Sequence, residues 1–368
     1  MGHAFIELEG HIFDSHLFEK TLQIIRTHGA EYRVLEVRSG RAPEDTSLAR
    51  IEVAAPDLDA LEETLDALRP HGIRLMDPAE LHPELRDASA PTGEPEPLSW
   101  GRRFLMCPPE FFGVTYEINP WMHKEIVVDR GLAREQWESL RSAVTDAGAT
   151  VEILDPVDGL PDLVFTANAG LIDGRNFIPA SFRHPQRQRE TPHATAWFRR
   201  QGYNIVPLPS GLVHEGAGDA LPFGDVLISG YRMRSDAPSH AAVARIARAQ
   251  VRAVELVDPR LYHLDLVFCP LDSRHAIVAP LGLDEHGLRV MKDLVPEPIM
   301  LTDEEALTFC ANSVVIDRTI IMPSCSDRLR RAIEAAGLTI VVVEVSEFLK
   351  AGGACRCLTL ALDATIGR

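Results

Sequence analysis

HAFIELEGHIF (His3–Phe13) alternates apolar and polar residues as a strand does, and SHLFEKTLQIIRTHG (Ser15–Gly29) then takes up a helical period that Gly29 stops. Working outward, AEYRVLEVRSG (Ala30–Gly40) reads as a second strand and TSLARIEVAAP (Thr46–Pro56) as its hairpin partner. DLDALEETLDALRPHG (Asp57–Gly72) is a second amphipathic helix, with Leu58, Leu61, Leu65 and Leu68 expected on one buried stripe and Gly72 as its stop. IRLMDP (Ile73–Pro78) supplies a last short strand. The order β-α-β-β-α-β over residues 1–80 is that of a ferredoxin-like α+β sandwich.

HPELRDASAPTGEPEPLSW (His82–Trp100) breaks this pattern, being rich in Pro and acidic residues with little periodicity, so a linker is expected over residues 81–100. Residues 101–368 are too many for a second small module. They mix short apolar runs, such as RRFLMCPP (Arg102–Pro109), DLVFTANAGLI (Asp162–Ile172), DVLISGY (Asp225–Tyr231) and LTIVVVEV (Leu338–Val345), with helices such as REQWESLRSAVTDAG (Arg134–Gly148). Neither a GxGxxG fingerprint nor a phosphate-loop spacing occurs, so a nucleotide cofactor has no support in the sequence.

The 368 residues are 45% hydrophobic and 25% charged, within the globular range. A formal charge of -17 disfavours phosphate backbones as partners and suits a small cation better, and five Tyr and four Trp offer few stacking platforms. The six cysteines do not form a disulfide framework in so long a chain, the N-terminus lacks the pattern of a secretory signal, and no apolar stretch reaches membrane-spanning length. A cytoplasmic protein with reduced thiols, binding neither nucleic acid nor membrane, is expected; homo-oligomer formation stays open.

KAGGACRCLTLALD (Lys350–Asp363) carries two of those thiols, Cys355 and Cys357. A C-x-C pair without a second Cys or His pair nearby makes a poor zinc site, and a disulfide across one residue is strained. A reactive thiolate after a flexible Gly-Gly fits better, although a lone cysteine is more often an inert packed residue. Candidate partners lie in other segments. YHLDLVFCPL (Tyr262–Leu271) sets His263 and Asp265 two apart on what reads as a strand, hence on one face, or else as a solvent-facing pair. HEGAGDAL (His214–Leu221) places Glu215 and Asp219 around two glycines, where backbone approaches a ligand closely or simply turns. Asn168 ends the apolar DLVFTANAG, Asn119 precedes a proline where it equally serves as a turn cap, and GYRMRSD (Gly230–Asp236) offers arginines able to grip a carboxylate. Together these form one thiol, one imidazole, carboxylates, amides and an arginine, a set suited to holding a planar guanidinium while a thiolate attacks its carbon.

The stretches RFLMCPPEFFGVTYEINPWM (Arg103–Met122), LPDLVFTANAGL (Leu160–Leu171), EGAGDAL (Glu215–Leu221), YHLDLVFCPL and FLKAGGACRCLTL (Phe348–Leu360) resemble, in order, motifs of the guanidine-modifying superfamily of arginine deiminases, dimethylarginine hydrolases and amidinotransferases. Within it they look closest to arginine dihydrolases of cyanobacterial type. The resemblance implies an α/β fold, a five-bladed α/β propeller (pentein), a cysteine-dependent hydrolase acting on guanidine C–N bonds, and neither organic cofactor nor metal. By the same resemblance the nucleophile falls on Cys357, the acid/base on His263 and its supporting carboxylate on Glu215. Asp265 is expected to bind the guanidinium, Arg234 the substrate carboxylate, and Asn119, Asn168 and Asp219 to line the pocket. Asn168 stands where deiminases carry a second aspartate, and Cys355 receives no role. The substrate expected is L-arginine, giving ornithine, ammonia and carbon dioxide. A deiminase giving citrulline, a hydrolase of substituted arginines, an amidinotransferase and a non-enzymatic amino-acid-binding protein remain alternatives. LEGHIFDS (Leu8–Ser15) and VLEVRSG (Val34–Gly40) resemble the small LOR/SDH-like domain of bacterial ornithine-processing proteins, here placed before the propeller.

Overall fold

The computed structural model describes residues 2–40, 45–76 and 94–366. The first segments fold as β1 (Gly2–Gly10), α1 (Leu17–Thr27), β2 (Glu31–Arg38), β3 (Ser47–Ala55), α2 (Leu58–Leu68) and β4 (Arg74–Met76). The sheet order β2-β3-β1-β4, antiparallel throughout, is the ferredoxin-like one. Phe18, Leu22 and Ile25 of α1 and Leu61, Leu65 and Leu68 of α2 are buried with Ile6, Leu8, Ile51 and Val53 of the sheet. The stripe on α2 differs from expectation at one position: Leu58 is 72% exposed, and Thr64 is buried instead. Leu58 begins the helix, immediately after the capping Asp57, whose carboxylate accepts from the Ala60 N–H, and there the face has not yet turned toward the sheet.

The opposite face of the same sheet carries charge. Arg74 on β4, Glu7 on β1, Arg50 on β3 and Glu36 on β2 stand directly opposite one another in register, and the row continues to Arg252 on a strand of the propeller. Arg74 Nη2 to Glu7 is 2.8 Å, Arg50 to Glu7 and to Glu36 is 2.9 Å each, and Arg252 to Glu36 is 2.9 Å. Alternating sign across neighbouring strands is the favourable cross-strand arrangement.

Five three-strand units make up the rest. They are built from β5 (Arg103–Met106) and β6 (Thr150–Ile153); β7 (Gly170–Asp173), β8 (Asn176–Pro179) and β9 (Asn204–Ile205); β10 (Ala220–Phe223), β11 (Val226–Tyr231) and β12 (Gln250–Glu255); β13 (Phe268–Pro270), β14 (His275–Val278) and β15 (Glu297–Met300); β16 (Val314–Ile316), β17 (Thr319–Met322) and β18 (Thr339–Val342); and β19 (Leu360–Ala361). In four units an antiparallel hairpin is followed by a parallel third strand. The remaining unit repeats that pattern with β19 as its first strand, since β19 pairs antiparallel with β5 and β5 parallel with β6. The chain's last strand thus completes its first blade, and the five blades form the α/β propeller.

The two parts share a sheet. Arg38, Val37 and Glu36 of β2 pair antiparallel with Gln250, Val251 and Arg252 of β12, so the small sheet and the third blade join in the order β10-β11-β12-β2-β3-β1-β4. Of the expected linker, residues 81–93 lie outside the described residues. Residues 94–100 run along the propeller: Pro97 bridges Asp272, and buried Trp100 lies under the Arg356 guanidinium, 4.9 Å from the ring centre. Among the described residues no helix is long and apolar enough to cross a membrane.

Candidate active site

Each blade sends one short turn to the propeller's hub, directly before its first strand. These turns hold Asn168, Glu215 with Asp219, His263 with Asp265, Asn312 and Cys357, which precede β7, β10, β13, β16 and β19 respectively. The apolar runs around Asn168 and Asp265 read as strands, but the structure makes them 3-10 turns at Pro161–Val164, Thr166–Ala169 and Leu264–Leu266. At the hub a chain is surrounded on all sides, so a tight turn there is as apolar as a buried strand. The expected placement of His263 and Asp265 on one strand face is therefore corrected: His263 is the extended residue capping the turn, and Asp265 lies within it.

Hydrogen bonds tie the turns into a closed belt. Asn168 Nδ2 donates to the Glu215 carbonyl (3.1 Å), the Leu264 N–H to Asp219 Oδ1 (3.1 Å) and Asn312 Nδ2 to the Asp265 carbonyl (3.1 Å). The Cys357 N–H donates to Asn312 Oδ1 (3.1 Å), and the Ala167 N–H to the Cys357 carbonyl (3.2 Å), which returns the belt to the blade of Asn168.

Cys357 sits at 3% exposure between two polar partners. Asn312 Nδ2 donates to its Sγ at 3.1 Å, and the thiol faces Asp265 Oδ2 at 3.5 Å. Burial first, and the neighbouring Asp265 carboxylate second, hold the thiol well above its ordinary pKa. Burial likewise raises Asp265 to about 7. Its Oδ1 has no hydrogen-bond partner, so one buried acceptor remains beside the sulfur.

Glu215 anchors the other side. Its Oε2 accepts from His263 Nε2 (2.8 Å) and Arg234 Nη1 (3.0 Å), and its Oε1 from the Arg183 N–H (3.2 Å). Burial opposes ionisation of this carboxyl, but the Arg234 charge and the His263 bond outweigh it and hold the group well below the usual carboxylate range. With Nε2 committed to Glu215, His263 Nδ1 is left buried and without a partner.

Three of the other expected binding residues are held by the chain itself. Both oxygens of Asp219 accept internal donors, Oδ1 from Leu264 N–H and Oδ2 from Ser235 N–H (3.1 Å) and Oγ (2.6 Å). Arg234 spends one amino group on Glu215 and another on the Ile118 carbonyl (3.2 Å), with its guanidinium 4.5 Å from the Tyr262 ring centre. Asn119 closes a turn, accepting from the Trp121 N–H (2.9 Å) and donating to the Ala351 carbonyl (3.1 Å). It thereby braces the Gly352–Gly353 approach to Cys357. At Gly352, with φ +79°, a Cβ would fall 2.9 Å from Asn119 Oδ1 and the Tyr262 hydroxyl, and at Gly353 2.3 Å from Phe165.

Two residues went unread in the sequence. Asn312 touches the Cys357 sulfur, and its signal was positional: CANSVV repeats the turn-before-strand placement of TANAGLI and HLDLVF. Arg187, in the polar HPQRQRE segment, is buried, paired bidentately with Glu190 at 2.9 Å, and donates from Nη1 to Asn168 Oδ1 at 3.0 Å. That bond fixes which way the Asn168 amide points. Cys355 is fully buried without a charged partner, and burial raises its thiol to about 12. All six cysteines are free.

The chain belongs to the guanidine-modifying superfamily that contains arginine deiminases, dimethylarginine hydrolases and amidinotransferases. The N(G),N(G)-dimethylarginine dimethylaminohydrolase of Mycobacterium tuberculosis is 36% identical over 261 residues, covering 71% of this chain and 86% of its own. The bifunctional arginine dihydrolase/ornithine cyclodeaminase AgrE of Nostoc is 41% identical over 269 residues, 72% of this chain but 38% of AgrE, so the chain spans well under half the length of that relative. The crystal structure of the N-terminal domain of ArgZ bound to substrate, an arginine dihydrolase from cyanobacteria, superposes with a TM-score of 0.70 at 38% identity, over 72% of this chain and 99% of that domain. Residues 3–96 match the LOR/SDH bifunctional enzyme conserved region.

Proposed function

We propose that this chain hydrolyses the guanidino group of L-arginine through a covalent amidino-cysteine, releasing ammonia and carbon dioxide and leaving ornithine. The observation carrying this reading is the Cys357 thiol held between the Asn312 amide and the Asp265 carboxylate, in one hub with the His263–Glu215 pair. The similarity to ArgZ and AgrE supports it.

In the resting site the thiol keeps its proton, because burial and Asp265 both oppose a second negative charge. A guanidinium entering beside Asp265 reverses that sign, stabilising carboxylate and thiolate together. The thiolate then attacks the guanidino carbon, and His263, through the free Nδ1, protonates the departing nitrogen as the C–N bond breaks and ammonia leaves. Water attacks the S-amidino carbon, His263 takes its proton, and the C–S bond breaks to return Cys357 and give a ureido group. A second round on that group expels another ammonia, and hydrolysis leaves an N-carboxylate that loses carbon dioxide. The balance is arginine plus two waters to ornithine, two ammonia and one carbon dioxide.

Asn168 supports the second round. Two carboxylates suit a cation but offer no donor to a neutral ureido oxygen, whereas an amide donates as well as accepts. Arg187 and the Glu215 carbonyl occupy one valence at each end of this amide and leave one at each end. In this reading Asp219 and Asn119 position the turns of His263 and Cys357, Arg234 keeps Glu215 ionised, and the six free thiols suit a reducing cytoplasm. The division near residues 81–100 separates the small domain from a propeller that carries the whole of the chemistry.

The test is a product balance with L-arginine. Two ammonia per ornithine, with little citrulline, is the expected result. One ammonia per citrulline makes the enzyme a deiminase, and absence of ammonia release rejects the proposal.

A further inference from the structure

Where the small domain meets the third blade, an open groove of about 540 Å³ runs between Arg26 and Tyr32 on one wall and Tyr231, Arg232, Asp236 and Glu255 on the other. Its charges divide into two kinds. Arg232 and Glu255 are paired at 2.7 Å, as are Arg33 and Glu255 at 3.3 Å. Arg26 and Asp236 are not paired with opposite charges among the described residues. Arg26 donates to the Tyr32 hydroxyl at 2.7 Å with its guanidinium 5.2 Å from that ring's centre, and the Asp236 carboxylate meets backbone donors alone, the Val213 N–H at 3.3 Å from Oδ1 and the Ser239 N–H. The charges of Arg183, which does not line the groove, and of Arg26, which does, both reach the Asp236 carboxylate without bonding to it.

We propose that this groove is a binding site for a free α-amino acid, whose carboxylate is taken by Arg26 and whose α-ammonium by Asp236. A guanidinium and a carboxylate that face each other unbonded across an open gap are complementary to a zwitterion, and neither a dianion nor a simple diamine satisfies both. The titratable side chains lining the groove are His3, three arginines and four carboxylates, Glu31, Glu52, Asp236 and Glu255. With Arg26 and Asp236 given to the backbone of the ligand, Glu52 is paired with His3 at 3.0 Å and Arg33 at 3.3 Å and Glu255 with Arg33 and Arg232, which leaves Glu31 without an ion pair among the described residues and favours a ligand with a basic side chain. The Tyr32 and Tyr231 rings with Ala54 and Ala237 provide the apolar surface for its methylenes. The site is separate from the hub, yet Asp236 follows Ser235, whose Oγ accepts from the Glu215 N–H, and Arg234, which pairs with Glu215. Bound ligand therefore sits two residues from an arginine that holds the hub's central carboxylate.

Calorimetric titration of L-ornithine into the full-length Cys357→Ala chain tests this without turnover, so its outcome is independent of whether the wild type hydrolyses arginine. Two sites are expected, one of which weakens about tenfold or more in Arg26→Gln, as loss of a charge-assisted carboxylate contact requires. Gln at this position retains a donor for Tyr32 and lies on an exposed helix face, and circular dichroism checks that the variant is folded. Asp236→Asn weakens the same site, and putrescine, which lacks a carboxylate, binds without sensitivity to Arg26→Gln. A single ornithine site indifferent to Arg26→Gln and to Asp236→Asn overturns the proposal.

Discussion

Two rows of polar groups cross this molecule, and they are built on opposite plans. The ladder Arg74–Glu7–Arg50–Glu36–Arg252 is open and redundant. Glu7 is shared by two arginines, and Glu36 accepts from Arg50, Arg252 and the Gln250 amide. The hub belt is closed, and its five links are two asparagine amides and three backbone N–H groups, with Asn312 serving two links and the Cys357 sulfur at once. Glu215 also has three donors, but they are an imidazole, a guanidinium and a backbone amide that no neighbour duplicates. A charge row that joins two sheets tolerates loss of a member. A row that sets protonation states does not.

The sharpest break in that contrast is Cys357→Ser, expected to lower ammonia release from arginine about a thousandfold or more, while Cys355→Ala leaves it within a few-fold. Activity retained in the Cys357 variant would sink the mechanism. Next is Glu215→Gln. It frees His263 from its orienting carboxylate and leaves Arg234 buried without a counter-charge, a loss of about 3–5 kcal/mol when one partner of a buried pair is removed. Denaturant titration should show that loss, and kcat should fall with it. Asn312→Ala removes the hydrogen bond to the sulfur together with two links of the belt, so kcat should fall about 10- to 100-fold or more, read by steady-state kinetics.

A pH series probes the hub's buried acid. Asp265 is raised to about 7 by burial, above the value near 4 of an unfolded Asp. Between those values the folded protein keeps a proton that the unfolded chain has released. This contribution to stability is full below about pH 4 and is lost as pH rises through about 7. Asp265→Asn should flatten the dependence of unfolding free energy over that window, and an unchanged slope would contradict the raised value. The smallest effect belongs to the ladder. Arg50→Ala leaves Glu7 with Arg74 and Glu36 with Arg252, so about 1 kcal/mol or less should be lost in thermal unfolding, with turnover unaffected.

The small domain was legible because its elements bury one face each. Ile6 and Leu8 of β1 and the stripe of α1 face the small core as expected, buried Glu7 between them turns to the charged row, and Leu58, in the first turn of α2, fell on the wrong side. The propeller was not legible by period. Its hub turns are apolar in every direction, so DLVFTANAG imitates a strand while folding as two 3-10 turns. Chemistry in motif order pointed to Cys357, His263, Glu215 and Asp265, which the structure brings together at the hub, and gave no pointer to Asn312 or Arg187. An amide next to a strand, and an arginine and a glutamate where two helices meet, look like solvated side chains until the ring brings them inward. The charge ladder was equally hidden, since its members come from strands far apart in sequence and meet only through register.

Because β19 closes the blade begun by β5, the order of synthesis matters. A ribosome delivers His263, Glu215 and Asp265 before Cys357, and one edge of β5 has no partner until Leu360 and Ala361 have been made. The nascent chain therefore passes through a stage in which an apolar strand edge is open and the Cys357 thiol does not yet exist. In the proposed mechanism this order precludes covalent chemistry on a half-made enzyme, and the hydrogen bonds of Cys357 close the ring in the same step that sets its thiol beside Asp265.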